Sequence, residues 1–354
     1  MTRRGLLAAV STLAGVIAVS AALYAQQTVT RDVLRRAGGA NDALPGSWLS
    51  YGRNQSETRY STLTQIDAGN AKTLGLSWSY VMGAGGGNQE ATPIVWNDTL
   101  YGMTTWSVVF ALDARTGKEL WRWDPEINQT AVRPMICCGN VNRGLAVYEG
   151  LIIAPAIDGR LFALNARTGK PVWETRIVYP QDQYTLTMAP RIAGNKVIIG
   201  ASGGDKTTRG QFVAVDALTG RLEWRFYTVP DDPAKPVEGE HLRRAAKTWG
   251  GDFHTKGGGG AVWDGFAYDP ETNLVFVGTG NPQPWVQKFR GSGSDLDPSH
   301  VGRRSQLVAD VVQPRHRARL HPVVLHEFSA AGAGGPPPGI DRLRAPDGRD
   351  ENDR

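Results

Sequence analysis

A short pattern that recurs along the chain most constrains how it can fold. Residues 111–121, 163–173 and 214–224 all read A-x-[D/N]-x-x-T-G-x-x-x-W, and they begin 52 and then 51 residues apart. A period of this length is typical of a β-propeller, in which each four-stranded sheet, or blade, must stack on its neighbours because it cannot bury its faces alone. The sequence therefore predicts an all-β propeller.

Each copy of the pattern predicts a tight turn followed by a docking tryptophan. The Asp or Asn side chain can accept hydrogen bonds from the turn backbone, and the Gly can adopt the positive φ that the turn needs. These residues are Asp113, Asn165 and Asp216, with Gly117, Gly169 and Gly220 after them. The Trp then returns on a strand and docks between blades, so Trp121, Trp173 and Trp224 are predicted to be structural.

Short β-type runs bounded by Gly or Asn-Asp fill the intervals between the turns. They are residues 92–96, 99–102, 151–154, 196–200 and 274–278. No stretch of 12 or more residues after the N-terminal leader keeps a helical period. A degenerate repeat ending at Trp78 and another over residues 268–281 bring the expectation to four or five blades, near the lower limit for a closed ring.

The N-terminus has the outline of an export signal. Arg3 and Arg4 precede an uncharged apolar stretch over residues 5–25, which is also just long enough to span a bilayer. Residues 1–25 are therefore predicted to be a cleaved signal peptide or an anchor associated with the inner membrane, followed by a linker over residues 26–40. Either form predicts a periplasmic protein.

Composition excludes some classes of protein. With 41% hydrophobic and 21% charged residues, the chain can bury a core, and its net charge of +5 is scattered rather than gathered in a basic stripe, so we expect no nucleic-acid binding. From residue 296 onward the chain has no Trp, Tyr or Lys and is rich in Arg, Gly and Pro. Residues 296–354 are predicted to be a disordered tail.

The two cysteines, Cys137 and Cys138, are adjacent. They are either buried free thiols or a vicinal disulfide, whose strained ring is more typical of a site than of a stabilising crosslink. Because the sequence holds no C-x-x-C-H, no covalent haem is expected on this chain. Two cysteines are also too few for a cysteine zinc cluster.

Several further segments carry glycines and polar residues in a distinctive order. They are residues 88–93 (NQEATP), 137–144 (CCGNVNRG), 185–190 (TLTMAP), 201–210 (ASGGDKTTRG), 258–263 (GGGAVW) and 278–285 (GTGNPQPW). Together with the repeat, these segments resemble the pyrroloquinoline quinone (PQQ)-dependent alcohol and methanol dehydrogenases. The resemblance covers residues 40–295, and it implies an eight-bladed propeller of which residues 41–295 encode a part.

The resemblance implies a site for PQQ and Ca²⁺. It assigns cofactor contacts to Glu90, Cys137 and Cys138 as a disulfide, Arg143, Thr187, Ser202, Gly203, Gly204 and Trp263, and calcium ligation to Asp205 and Asn281. A flat tricarboxylate suits an indole face, an arginine fork and single hydroxyl and amide donors, while calcium suits hard oxygen ligands. Two departures are Asp205, where the best-known members carry Glu, and Gly139, where Asp is frequent.

The implied activity is oxidation of a primary alcohol to an aldehyde by hydride transfer to calcium-bound PQQ, with electrons passed to a separate cytochrome c. No catalytic residue is assigned, because the family's Asp base and the nearby Lys have no counterpart in this sequence. The change of character after residue 295 leads to the hypothesis of a truncated or frame-shifted member of the family.

Two other interpretations stay open at this stage. One is an inactive fragment of such an enzyme. The other is a non-catalytic propeller used as a binding scaffold, against which the Cys137–Cys138 pair and the Ser202–Asp205 segment argue. The glycine run at residues 256–260 lacks the lysine offset and following helix of a phosphate-binding loop, so it is not interpreted as one.

Overall fold

The computed structural model describes residues 28–83, 88–247, 249–250, 252–284, 306–310 and 321–323, the last two ranges by their backbone alone. Its strands form four antiparallel sheets of four strands each, and in every sheet the strands are adjacent in chain order. This arrangement confirms the predicted all-β propeller architecture and gives four blades within the described residues.

The strands follow one another in four groups. The first sheet contains β1 (Ile94–Trp96), β2 (Thr99–Met103), β3 (Val109–Asp113) and β4 (Glu119–Trp123). The second contains β5 (Ala146–Tyr148), β6 (Leu151–Pro155), β7 (Arg160–Asn165) and β8 (Pro171–Arg176). The third contains β9 (Arg191–Ala193), β10 (Lys196–Gly200), β11 (Gln211–Asp216) and β12 (Leu222–Tyr227). The fourth contains β13 (Phe266–Asp269), β14 (Leu274–Gly278), β15 (Gln306–Asp310) and β16 (His321–Val323).

Helices are short in the described residues. The α-helices are α1 (Arg31–Arg36), α2 (Gln129–Val132) and α3 (Glu240–Ala246), and 3₁₀ turns lie at Ala71–Thr73, Arg133–Met135, Pro180–Asp182 and Phe253–Lys256. Within this described part of the chain, which leaves out residues 1–27, no helix has the length and apolar character to cross a membrane.

The repeated turns form as the sequence predicts. In the first copy, Oδ1 of Asp113 accepts hydrogen bonds from the Thr116 backbone N–H and hydroxyl, both at 2.8 Å, and Gly117 has a φ of 71°. Asn165 and Asp216 accept the equivalent bonds in the next two sheets. The turn chemistry therefore does not depend on whether the acceptor is a carboxylate or an amide.

The tryptophans join each sheet to the next. The indole N–H of Trp121, on β4, donates to the carbonyl of Ala166 in the second sheet, and that of Trp173, on β8, donates to Ala217 in the third. Trp78 makes the equivalent bond to Ala114 although it precedes β1. The prediction of a structural role is confirmed for Trp121 and Trp173.

The first strands of the second, third and fourth sheets lie next to one another, since β5 contacts β9 and β9 contacts β13. The segment that precedes β1 runs along these strands and covers their inner edges. Trp48 pairs with Val95 in both directions, and the Gln55 backbone carbonyl accepts from the Tyr268 N–H at 3.2 Å. Covered edges are protected from pairing with other chains.

Two parts of the chain differ from the sequence expectation. Residues 26–40 were expected to be a linker, but α1 lies there and its Val33 and Leu34 are buried in the main core, so the segment packs as part of the propeller. In the expected tail, β15 and β16 extend the fourth sheet because β14 offers a free edge for pairing. The expectation of disorder is wrong for those two strands, and the rest of 296–354 lies outside the described residues.

Candidate functional site

The predicted site residues converge at one end of the propeller because they occupy equivalent positions. Glu90, Arg143, Thr187 and Trp263 each lie three or four residues ahead of the first strand of a different sheet. These approach segments are hydrogen-bonded side by side, from the Thr92 N–H to the Arg143 carbonyl at 3.0 Å and from the Arg143 N–H to the Thr187 carbonyl at 3.1 Å. The first three segments are joined in this way, and the fourth is joined by the Val262 N–H, which donates to the Ala201 carbonyl of the third sheet at 3.2 Å.

Arg143 is at the centre of this group. Its Nη2 lies 2.9 Å from Oε2 of Glu90, its Nη1 donates to the Thr187 carbonyl at 3.1 Å, and its guanidinium carbon lies 4.8 Å from the centre of the Trp263 ring. The Arg143 side chain is 14% exposed, whereas Trp263 is 45% exposed. The site thus presents an oriented cation beside an indole surface that solvent reaches.

A second set of residues follows β10. The backbones of Thr185 and Ser202 form an antiparallel bridge, which brings the hydroxyl groups of Thr187 and Ser202 within hydrogen-bonding distance. Gly203 has a φ of 128°, and a Cβ there would lie 2.6 Å from the Gln183 carbonyl oxygen, so a larger residue would not fit. The half-buried Gly203 and Gly204 therefore lie in a loop beside two hydroxyl groups.

The vicinal cysteines lie next to this loop. The structure sets the sulfur atoms of Cys137 and Cys138 side by side, and these atoms and a carboxylate oxygen of Asp205 all lie within 4.8 Å of one another. All three residues are exposed. The cysteine motif of the second sheet and the acidic loop of the third therefore face the same space.

Asn281 lies across Ala261 from Asp205. A Cβ on Gly204, which precedes Asp205, would meet the Ala261 side chain at 2.8 Å, and the Gly280 N–H donates to the Ala261 carbonyl at 2.8 Å. The Asn281 amide group donates a 3.4 Å bond to the Pro282 carbonyl, and the residue is exposed. Its side-chain oxygen and the Asp205 carboxylate are hard donors on neighbouring loops.

Three charged residues of this region were missed in the sequence analysis. Asp264 lies with its Oδ2 3.8 Å from Nε of Arg143 and its Oδ1 3.9 Å from Nη2 of Arg191, and Glu57 forms a two-bond ion pair with Arg191 at 2.7 and 3.1 Å. Burial raises the pKa of the Glu57 carboxyl above its ordinary value of 4.5, against the opposing charge of Arg191. Asp264 could have been found from its place beside Trp263, but nothing local in the sequence connects Glu57 to Arg191.

The residues fit the group that the family resemblance implies. A flat anion with several carboxylates can lie against the exposed Trp263 ring and the sulfur pair, with Arg143, Thr187 and Ser202 as donors. Asp205 and Asn281 offer the oxygen ligands that a hard divalent cation needs. The assignment of individual contacts stays a prediction.

Comparison with known proteins supports the same family. The family described as "PQQ: Glucose/ethanol/alcohol dehydrogenase, beta-propeller domain" matches residues 48–293. The quinohemoprotein alcohol dehydrogenase ADH IIB of Pseudomonas putida is 49% identical over 255 residues, which are 72% of this chain and 37% of the relative. The 1-butanol dehydrogenase (cytochrome c) of Thauera butanivorans is 40% identical over 259 residues, 72% of this chain and 37% of that protein.

A solved structure is similar as well. The crystal structure of the quinohemoprotein alcohol dehydrogenase from Comamonas testosteroni superposes with a TM-score of 0.71 at 42% identity, covering 79% of this chain and 42% of that one. The chain thus spans about two fifths of the length of the relatives that it matches. From its sequence and its fold, the chain belongs to the PQQ-dependent alcohol dehydrogenase family.

Proposed function

We propose that this chain carries the cofactor site of an exported quinoprotein dehydrogenase that oxidises a primary alcohol to an aldehyde by hydride transfer to calcium-bound PQQ. The observation that supports this most is the convergence of Arg143, Thr187 and Trp263, from the approach segments of three sheets, beside the Cys137–Cys138 pair. The activity of the whole protein is part of the proposal.

The carboxylates of the cofactor would be held by donors of graded strength. Arg143 has guanidinium hydrogens beyond those that Glu90 and the Thr187 carbonyl engage, and charge-assisted bonds are the strongest available here. The Thr187 and Ser202 hydroxyls and the Gly203 and Gly204 amides would add single bonds.

The flat faces of the cofactor would lie between Trp263 and the cysteine pair. We propose that Cys137 and Cys138 form a disulfide in the oxidising compartment that the leader implies. A rigid sulfur pair and a rigid indole lose little conformational entropy on binding, so they suit a preorganised slot.

Asp205 and the side-chain oxygen of Asn281 would hold the calcium ion. When bound, PQQ supplies a quinone carbonyl that accepts the hydride, and calcium polarises that carbonyl. The aspartate carboxylate and the neutral amide together contribute a single negative charge, and the carboxylates of the cofactor would complete the neutralisation of the ion.

The partners proposed are a small alcohol, as substrate, and a separate cytochrome c. A cytochrome acceptor is supported by the similarity to the 1-butanol dehydrogenase (cytochrome c) of Thauera butanivorans. Export to the periplasm, by a cleaved leader or by an anchor in the inner membrane, is proposed from residues 1–25.

The experiment is to produce the full chain with its leader in a periplasm, add PQQ and CaCl₂, and follow the cofactor absorbance together with dye reduction by ethanol. We expect saturable, calcium-dependent uptake of PQQ. Uptake of PQQ without dye reduction would support the cofactor site but not the dehydrogenase activity. That outcome is the one expected for an inactive fragment. The absence of any uptake by the folded chain would refute it.

The metal ligand is tested by Asp205→Asn, with Asp124→Asn, an exposed residue that directly follows β4, as the matched control. Replacing the charged one of the two proposed protein ligands with a neutral amide is expected to weaken calcium binding at least about tenfold, while the control leaves it unchanged. An equal calcium affinity in both variants would exclude Asp205 as a ligand.

A further inference from the structure

Five charged side chains form an alternating line through the centre of the propeller. In order along the line they are Glu90, Arg143, Asp264, Arg191 and Glu57. Exposure of the two arginines falls along the line, from 14% at the Arg143 side chain to 6% at Arg191. Three carboxylates thus flank two guanidinium groups, and the guanidinium groups are the most buried members of the line.

Asp264 differs from the other two carboxylates in how it contacts its arginines. Glu90 lies 2.9 Å from Arg143, and Glu57 lies 2.7 Å from Arg191, whereas Asp264 lies 3.8 and 3.9 Å from the two guanidinium groups. Its Oδ1 is buried and has no hydrogen-bond partner among the described residues. Asp264 therefore acts on both arginines through charge rather than through a direct bond.

The position of Arg143 depends on groups on three sides. Glu90 holds Nη2, the Thr187 carbonyl holds Nη1, and Asp264 faces the Nε edge. Asp264 also separates the two cations, because Arg143 and Arg191 each lie within 4 Å of its carboxylate oxygens. Without that charge, the two guanidinium groups would repel each other, and the more exposed Arg143 would move outward.

We propose that Asp264 is a positioning residue that holds the Arg143 guanidinium against the Trp263 ring in the orientation that a cofactor carboxylate meets. The identity of that carboxylate rests on the proposed function. The effect of Asp264 on Arg143 itself does not.

The proposal and simple electrostatics predict opposite results for Asp264→Asn. Removing a negative charge near the site of a tricarboxylate anion should, by charge alone, tighten binding of that anion. If Asp264 positions Arg143, the same change should weaken binding about tenfold, because the main charged donor is displaced. The sign of the change therefore distinguishes the two.

The first measurement is the affinity of the full chain for PQQ in saturating calcium. The matched control is Asp158→Asn, which removes a carboxylate that lies between two other arginines, 2.8 Å from Arg160 and 4.0 Å from Arg176, with 13% of its side chain exposed. We expect weaker binding for Asp264→Asn and unchanged binding for the control. Tighter or equal binding by Asp264→Asn would overturn the proposal.

The second measurement needs no cofactor. The indole N–H resonance of Trp263, assigned with Trp263→Phe, reports on the cation that lies 4.8 Å from the ring centre. Asp264→Asn should shift this resonance in the unaltered background and leave it in place in the Arg143→Met background, since the effect passes through Arg143. Equal shifts in both backgrounds would overturn the proposal.

These two measurements separate the inference from the proposed function. A folded chain that takes up no PQQ would refute the proposed function, and the Trp263 resonance would still decide the role of Asp264. Asp264→Ser provides a second variant without the charge, in case Asp264→Asn does not fold, and the same shifts are expected for it.

Discussion

The indole N–H of Trp121 donates a hydrogen bond to the backbone carbonyl of Ala166 in the neighbouring sheet, at 2.9 Å. The same Trp ring fills the space beside Gly169, where a Cβ would lie 2.5 Å from the ring carbon Cε3. One side chain therefore closes the contact between two sheets by a directional bond and by packing, and both features recur with the repeat.

Trp121→Phe should destabilise the chain by about 1 kcal/mol more than an exposed substitution, because the Ala166 carbonyl loses its indole donor while most of the ring packing remains. Urea unfolding followed by circular dichroism measures this. The control is Leu120→Ala on the same strand, whose side chain is 52% exposed and whose loss should cost less than about 0.5 kcal/mol. Equal losses for the two variants would contradict a bonding role for the indole N–H.

Gly169→Ala and Gly194→Ala form a matched pair for the packing part of the same contact. Both glycines have a positive φ, 69° and 64°, so both substitutions carry a conformational cost of about 1–2 kcal/mol. At Gly194 nothing lies within 4 Å of the added Cβ, whereas at Gly169 it meets Trp121. We expect Gly169→Ala to cost about 1–3 kcal/mol more in the free energy of unfolding, and similar costs would argue against a tight Trp–Gly contact.

Much of the propeller could be predicted from the sequence because its turns depend on residues close together in the chain. Asp113, Thr116 and Gly117 are enough to define one turn. The sequence alone does not explain why each repeat begins with Ala. It faces the repeat Trp across the strand pair, as Ala111 faces Trp121, and the register shifts immediately after it. A bulge of this kind depends on the partner strand, so the sequence does not show it.

The proximity of several candidate site residues could also be predicted from the sequence. Residues such as Arg143 and Thr187 belong to motifs that could be recognised locally, and the fold brings them together. The partners that complete their environment come from distant parts of the chain. The pairing of Glu57 with Arg191 crosses 134 residues and requires the N-terminal segment to lie along the inner strands, a packing result that no local pattern indicates.

Trp263→Leu should weaken binding of PQQ about tenfold, because the variant loses the aromatic face against which a flat cofactor would stack. Absorbance titration with PQQ and calcium measures this. Tyr60→Leu removes an aromatic side chain that is 71% exposed and lies outside the site, and it should leave the affinity unchanged. An affinity equal to that of the unaltered chain in both variants would remove Trp263 from the proposed cofactor contacts.

Asp113→Asn should change how stability depends on acid while preserving the turn. Hydrogen bonds from the Thr116 side chain and backbone lower the pKa of Asp113 below its ordinary value of 3.8. Because the pKa of Asp113 is lower in the folded state, the ionised carboxylate stabilises the fold at pH values above the unfolded-state pKa. This stabilisation is lost as the pH falls through the folded-state pKa. Since Asn165 accepts the same bonds in the second sheet, Asp113→Asn should retain the fold and lose less stability below pH 3.8.

Unfolding in urea across the acid range checks this. The difference in the free energy of unfolding between the unaltered chain and Asp113→Asn should decrease as the pH falls below 3.8, the ordinary pKa of Asp. A difference that stays constant with pH would mean that the Thr116 bonds do not favour the ionised form.

Glu57 should affect the pH dependence of stability in the opposite direction from Asp113, and Glu57→Gln tests this. Burial raises the folded-state pKa of Glu57 above its ordinary value of 4.5, so the folded chain binds this proton more tightly than the unfolded chain does. The protonated carboxyl contributes its full stabilisation below pH 4.5, and this stabilisation is lost as the pH rises through the folded-state pKa of Glu57. Relative to Glu57→Gln, which cannot ionise, the unaltered chain should therefore lose stability as the pH rises through that interval. A relative gain would instead mean that the bond pair to Arg191 outweighs burial, and urea titrations of both chains from pH 4 to 7 distinguish these two results.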